Sequence, residues 1–337
     1  MLPEELTQHL NSALAPLLTD KIGGGGVSGL ERLSGGANNE TWRLAWGNTP
    51  LILRRRPFSA GSVASLEGNI LGLSLVDEAS VIQLASQTEV PVPEIYGVFD
   101  EHHPIGEAFV MAFIPGESIP QRWLTDASFE HARGVLAYQC GEALARIHGI
   151  DRANLPMAVG PTTLSRRFEA AQSRLHAFGD VSPALQFGLN WLVDHAPTET
   201  PHVLLHGDFR TGNLLIDNEG LAGVLDWELT HQGPPGEDLG YLCAHVWRFG
   251  QLEKPVGGFG DYADLIAGYE SVAGWSPDLN TIRYWEIFAA LSWGLVCQTM
   301  GALWQSGQGD VERAAVARRR SEAELDILLL IDQWETS

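Results

Sequence analysis

His206-Gly207-Asp208-Phe209-Arg210-Thr211-Gly212-Asn213 leads into Asn213-Leu214-Leu215-Ile216-Asp217, the turn residues Asn218-Glu219-Gly220, and Leu221-Ala222-Gly223-Val224-Leu225-Asp226-Trp227-Glu228. Two short apolar runs joined by Asn-Glu-Gly predict a β-hairpin. A loop of the form His-x-Asp-x4-Asn therefore precedes the hairpin, and a second Asp sits at its end. Phosphoryl transfer needs these parts. Oxygen ligands, typically carboxylate and amide, hold magnesium against the charge of the phosphates. A separate carboxylate orients the attacking hydroxyl and accepts its proton. The spacing assigns Asp208 as that base and Asn213 and Asp226 as metal ligands. Such a loop pattern arises by chance on the order of 0.02 times in a chain of this length and composition. The plainer reading, in which Asp208 caps a turn and Asn213 satisfies loop backbone, explains each residue but not their joint spacing.

Working outward, the residues before this stretch and those after it differ in character. Upstream, an amphipathic helix is expected over the first twenty residues, from Leu6, Leu10, Leu14, Leu17 and Leu18. Gly23–Gly26 break it. Strand-like runs follow at Gly29–Leu33, Glu40–Trp46 and Leu51–Arg54, with the turn-rich Ser34–Asn39 between the first two. A helix is expected over Val76–Gln87, then a strand after the prolines of PVPEIYGVFD. The apolar run Ala108–Ile114 stops at Pro115-Gly116, and the division into residues 1–114 and 115–337 is placed there. Downstream the periodicity is helical at Phe129–Ile150, 163–178, 183–195, 237–248, 259–273, 280–304 and 310–332.

Composition narrows the classes. Of the 337 residues 45% are hydrophobic and 19% charged, too apolar for disorder. The net charge of −21 disfavours binding to nucleic acid or anionic lipid. No membrane association is expected: the most apolar stretch, Ile287–Trp304, is interrupted by Ser292, Gln298 and Thr299 and is read as a core helix. The start MLPEELTQHL has no basic flank and apolar run of a secretory signal. Cys140, Cys243 and Cys297 show neither CxxC spacing nor a disulfide framework, so reduced thiols and a cytoplasmic setting are expected.

The motifs HGDFRTGNLL, GVLDWE and GEDLGYL, the last at Gly236–Leu242, resemble those of the aminoglycoside phosphotransferase-like family, a branch of the protein-kinase-like fold. GEALARIHGID at Gly141–Asp151 is similar to that family's first large-lobe helix. SGGANNETW, LILRRRP and TEVPVPEIYG resemble the branch fused to acyl-CoA dehydrogenases. The resemblance implies an α+β, two-lobed fold: a small mixed N-terminal lobe with an antiparallel sheet, and a larger, mainly helical lobe. It implies ATP, or alternatively GTP, with Mg2+ as cofactors. It also implies a small-molecule hydroxyl acceptor, such as a hydroxyacyl-CoA or an aminoglycoside-like compound, and a monomer or homodimer.

The resemblance assigns Ser34, Gly35, Gly36, Asn38 and Asn39 to the loop over the nucleotide phosphates, where glycines let backbone N–H groups approach closely. Ala112 and Ile114 would meet adenine through the backbone C=O and N–H. The family's pattern places a lysine on the third strand, paired with a helix glutamate. This chain departs from it, because Lys21 and Lys254 are its two lysines and neither lies there. Arg54 is the expected substitute and Glu78 its partner. Arg56, two residues on, is the rival. His206 is read as loop support, with substrate contact the alternative. Arg210 holds an anionic group or pairs with Glu237 or Asp238. Glu228 supports the metal site and Asp238 the loop. Most of Trp123, Trp191, Trp247, Trp275, Trp285, Trp293 and Trp304 are expected in the core, one or two lining an acceptor pocket. The competing reading is a non-catalytic, nucleotide-binding pseudokinase acting through protein contacts, supported by the missing lysine. A protein kinase is disfavoured by the short distance from Asp226 to GEDLGYL.

Overall fold

The computed structural model describes residues 3–33, 39–56, 72–197, 201–307 and 311–336. In chain order its elements are α1 (Pro3–Ile22), β1 (Val27–Arg32), β2 (Glu40–Trp46), β3 (Thr49–Arg55), α2 (Leu75–Ala85), β4 (Ile95–Phe99) and β5 (Ala108–Ala112). Then follow α3 (Pro120–Trp123), α4 (Glu130–His148), α5 (Leu164–His176), α6 (Pro183–Asp194), β6 (Val203–Leu205), β7 (Leu214–Asp217), β8 (Gly220–Val224) and β9 (His231–Gly233). The last are α7 (Gly236–Cys243), α8 (Tyr262–Ala273), α9 (Leu279–Gln305), α10 (Val311–Ala317) and α11 (Arg320–Thr336).

The first five strands form an antiparallel sheet in the order β1-β2-β3-β5-β4. Leu6, Leu10, Leu14 and Leu18, four residues apart, give α1 one buried face, which packs with Leu44, Leu51, Leu53 and Val110 of the sheet. The other side of the sheet meets α2. Leu75, Ala79, Val81, Ile82 and Ala85 of α2 belong to the same buried cluster as Leu136, Cys140 and Leu144 of α4 and Phe209 and Trp227 beside the hairpin. The strand region and the helical region are thus welded along α2. A third cluster joins α5, α6, α9 and α11.

The sheet-plus-helical-lobe architecture agrees with the sequence reading, as does the hairpin, β7 paired with β8. Several boundaries differ. The periodicity over 310–332 is interrupted at residues 318–319, giving two helices, α10 and α11. The helix expected over 237–248 stops at Cys243 and continues as a 3-10 turn at His245–Trp247. The small pair β6–β9 carries no sequence signal, because three-residue strands show no periodicity. α9 is long and apolar enough to cross a membrane, but 61% of its most apolar window is buried against the other helices. All three cysteines are buried and free. Trp123, Trp191, Trp247 and Trp285 are in the core, whereas Trp275 and Trp304 are exposed.

α4 and α8 pack with glycine on both sides. A Cβ at Gly268 would lie 2.0 Å from the Tyr138 carbonyl oxygen, and one at Gly141 2.2 Å from that of Leu265. Backbone meets backbone there, so no flexible side chain can give way. Gly268→Ala is expected to lower stability by about 1–3 kcal/mol, the ordinary cost of overpacking, measured by denaturant unfolding. Wild-type stability in that variant would show that the helices do not approach so closely.

Candidate active site

The loop His206–Asn213 runs from β6 to β7, and its course is dictated by one buried carboxylate. Asp238, on α7, accepts the backbone N–H of His206 at 2.8 Å and of Gly207 at 2.9 Å. It is also 3.2 Å from Nε2 of His148 on α4, whose other ring nitrogen meets the Tyr269 hydroxyl of α8 at 3.0 Å. Burial alone would raise the carboxyl pKa of Asp238. The hydrogen bonds from His148 and Gly207 and the fields of His148 and His206 outweigh it and hold the group below its ordinary value. Gly207 has φ +81°, and a Cβ there would lie 2.2 Å from the Leu229 carbonyl oxygen. Only glycine fits.

His206 is fully buried, and both ring nitrogens are committed to backbone. Nδ1 accepts the Asp208 N–H at 3.2 Å, which assigns the proton to Nε2, 3.1 Å from the Leu225 carbonyl. Burial pulls its pKa down to about 4. The ring is a neutral brace between the loop and the strand end that carries Asp226.

Asp208 is 8% exposed, and its carboxyl is held from three sides. The Tyr241 hydroxyl donates to Oδ1 at 2.8 Å and the Asn213 side-chain amide to Oδ2 at 2.6 Å. Arg210 Nε lies 3.1 Å from both oxygens. Burial, aided by the field of Asp226, raises the Asp208 pKa, against the opposing pull of Arg210, Tyr241 and Asn213. Arg210 therefore pairs with neither Glu237 nor Asp238. Its guanidinium lies 4.7 Å from the Trp247 ring centroid, and Glu237 is taken by Arg167 and by His231. Tyr241 and His148 carry no role in the sequence reading, and Trp247 enters it only as one of the tryptophans expected in the core or an acceptor pocket. Tyr241 had a signal: it lies three residues beyond Asp238, one helical turn along the same face.

Arg54 crosses from β3 to the end of the hairpin. Its Nη2 is 2.8 Å from Asp226 Oδ1 and 2.6 Å from Glu228 Oε2, and its Nε is 3.5 Å from Glu78 Oε2 on α2. Burial works against the guanidinium charge, but Glu78, Asp226 and Glu228 together keep its pKa above the ordinary value. The Glu78 carboxyl is pushed up to about 7, by burial first and by the neighbouring acids, against the pull of Arg54. Glu228 is raised for the same reasons. Sequence reasoning gave Glu228 only a supporting place beside Asp226; here it binds Arg54 directly. Arg56 goes elsewhere: β3 ends at Arg55, and Arg56 pairs with Glu107 at 2.9 Å. Asn39 is buried near both, its amide 3.4 Å from Glu228 and its oxygen 3.4 Å from Arg56. Ser34, Gly35, Gly36 and Asn38 lie outside the described residues.

The strand β5 ends at Ala112, whose N–H is bound by the Glu94 carbonyl at 2.9 Å. Ile114 lies two residues beyond the strand, its side chain close to Gly223 of the hairpin. Both stand where the sheet passes into the helical lobe.

The residues present fit a magnesium–phosphate group. Asp226 takes φ +66°, a left-handed conformation uncommon in non-glycine residues and concentrated at functional sites. Buried Asp226 Oδ1, Glu78 Oε2 and Arg54 Nε form no aligned hydrogen bond despite their ion-pair distances. The Asn213 side-chain nitrogen is taken by Asp208, so its oxygen is the atom that would ligate a metal. Among the described residues no three His, Cys, Asp or Glu gather into a metal site. Two protein ligands suit magnesium, which is bound through one or two carboxylates plus phosphate and water.

The His206 brace has a pH signature. Its pKa is lower in the folded state, about 4, than the value near 6.5 of an unfolded chain. The unfolded chain therefore binds the extra proton as pH falls through this window, and the His206 contribution to stability is lost between about 6.5 and 4. His206→Asn should show a shallower loss of stability than wild type over that interval. Equal slopes would contradict the neutral, buried imidazole.

Residues 29–275 match the family described as "Phosphotransferase enzyme family". The chain is 29% identical over 302 residues to acyl-CoA dehydrogenase family member 11 of Gallus gallus, covering 80% of this chain and 35% of that protein. It spans between about a fifth and about a third of the acyl-CoA dehydrogenase relatives it matches in mouse and chicken. It is 26% identical over 277 residues to 4-hydroxytryptamine kinase of Psilocybe cyanescens, covering 72% of each. The fold is that of spectinomycin phosphotransferase, solved with ADP and spectinomycin, with a TM-score of 0.66 at 13% identity over 98% of both chains. With more than half its length matched and the fold shared, this chain belongs to the phosphotransferase enzyme family.

Proposed function

We propose that the chain is an ATP- and Mg2+-dependent phosphotransferase that transfers the γ-phosphoryl group to a hydroxyl of a small molecule. The observation that carries this reading is the convergence of Asp208, Asn213, Asp226 and Arg54, drawn from both lobes, onto one cluster. A protein that only binds has no use for a braced base beside two metal ligands. Kinase relatives and a nucleotide-bound structural neighbour support the same class.

Asp208 would accept a hydrogen bond, then the proton, from the attacking hydroxyl. Tyr241, Asn213 and Arg210 fix the carboxylate so that no reorientation is needed. The single Arg210 N–H shared between both oxygens is the contact that the acceptor hydroxyl displaces. Asp226 and the Asn213 oxygen would hold Mg2+, which when bound offsets the charge of the phosphates. Arg54 would turn from Asp226 and Glu228 to the nucleotide phosphates, while Glu78 keeps its Nε side. Arginine in place of lysine keeps the charge and adds a planar, two-pronged contact. The acceptor is proposed to be a hydroxyacyl-CoA, with an amine such as an aminoglycoside as the alternative, and the kinase relatives' names, 4-hydroxytryptamine kinase and homoserine kinase, cover more than one acceptor.

The test is transfer from γ-labelled ATP to a panel of hydroxyacyl-CoAs, hydroxy amines and aminoglycosides. Asp208→Asn should lower kcat by about a hundred- to ten-thousand-fold, while Mg-nucleotide affinity changes by no more than about threefold. Asp226→Asn should lose both turnover and Mg-dependent nucleotide binding. Normal turnover by Asp208→Asn would overturn the mechanism. Tight nucleotide binding with no transfer to any acceptor would favour the pseudokinase.

A further inference from the structure

Beyond the catalytic cluster, a cavity of about 320 Å³ opens in the helical lobe. It lies between the His245–Leu252 segment, the start of α8, and α9 and α11. Its buried charges are already balanced. Glu286, fully buried, accepts from Arg248 Nη2 at 2.5 Å and from the Tyr262 hydroxyl at 2.6 Å. The remaining donors of Arg248 go to the carbonyls of Cys243 and Leu252. His245 Nδ1 meets Asp326 at 2.7 Å.

One cation is left over. Among the described residues Arg283, half-buried in the cavity wall, has no hydrogen-bond or ion-pair partner, and its charge acts on the committed Glu286. His245 and Gln333 line the same space, and among the described residues neither His245 Nε2 nor the Gln333 side-chain amide has a hydrogen-bond partner. The other walls are apolar, from Leu252, Pro255, Leu330 and Trp334. A protein of net charge −21 thus keeps a partly buried guanidinium in a cavity wall with no carboxylate partner among the described residues. Leaving such a group without a partner costs free energy that an anion would recover.

We propose that this cavity is a second ligand site, which takes a small carboxylate with a short apolar body. The carboxylate pairs with Arg283, with Gln333 and His245 Nε2 as further donors, and the hydrocarbon lies on Leu252, Pro255 and Leu330. The volume is at the lower end of those that hold small molecules. A bare inorganic anion would leave the apolar walls uncovered, so a free phosphate binds more weakly than an aliphatic carboxylate.

Titration calorimetry of the full chain with hexanoate, inorganic phosphate and hexylamine tests this, since it depends on no nucleotide or turnover. Hexanoate should bind saturably with 1:1 stoichiometry, phosphate at least about tenfold more weakly, and hexylamine not at all. Arg283→Gln should lose hexanoate binding by at least about tenfold, and Arg283→Lys should retain part of it. Unchanged thermal stability of Arg283→Gln, with an unchanged Mg-ATP shift, will show that the fold and the catalytic cluster are intact. Absence of saturable hexanoate binding to wild type, or equal binding by Arg283→Gln, would overturn the proposal. So would tighter binding of hexylamine than of hexanoate.

Discussion

One guanidinium joins the two halves of this molecule. Arg54 leaves the central strand of the sheet and lies within ion-pair reach of Glu78 on α2 and of Asp226 and Glu228 at the end of the hairpin. Burial first, and then the excess negative charge of three carboxylates around one cation, hold the Glu78 and Glu228 protons more tightly than usual. Such a cluster is poised to accept positive charge. A divalent cation entering at Asp226 would relieve it, and a phosphate would give Arg54 a new partner. The same contacts thus read as a resting arrangement of the parts that phosphoryl transfer uses.

Packing makes the cluster precise. α2 shares a continuous core with α4 and with Phe209 and Trp227, so Glu78 is fixed relative to the catalytic loop. On the other side, Asp238 draws the loop onto α7 through two backbone N–H groups, and His206 ties the loop to Leu225, the residue before Asp226. Asp208 and Asp226 are therefore positioned from one set of buried hydrogen bonds. Loosening that set would move base and metal ligand together, and small displacements of this kind are costly to catalysis.

The sequence made the catalytic loop legible because its residue types and spacing belong to one chemistry. Asp208, Asn213 and Asp226 share a cluster in the structure, and Arg54 lies within ion-pair distance of Glu78. The choice between Arg54 and Arg56 was not legible, since it depends on where the strand ends and on Glu107, which lies 51 residues beyond Arg56. Glu228 bonding Arg54 and Tyr241 bonding Asp208 are tertiary contacts between elements 174 and 33 residues apart. No local periodicity encodes the contacts themselves, although the one-turn spacing from Asp238 puts Tyr241 on that residue's helix face. The break between α10 and α11 escaped for a different reason: the apolar repeat continues across it, and a two-residue turn leaves no mark in the pattern.

The central claim is that Arg54 serves as the phosphate-binding cation of a metal-dependent nucleotide site. It is tested most directly by thermal unfolding with ATP or GTP, with and without Mg2+, in wild type and in Arg54→Ala. The account predicts a rise in Tm with one nucleotide that is larger when Mg2+ is present, and that is lost or sharply reduced in Arg54→Ala. A metal-dependent rise of equal size in the variant, or no rise with either nucleotide in folded wild-type protein, would contradict it.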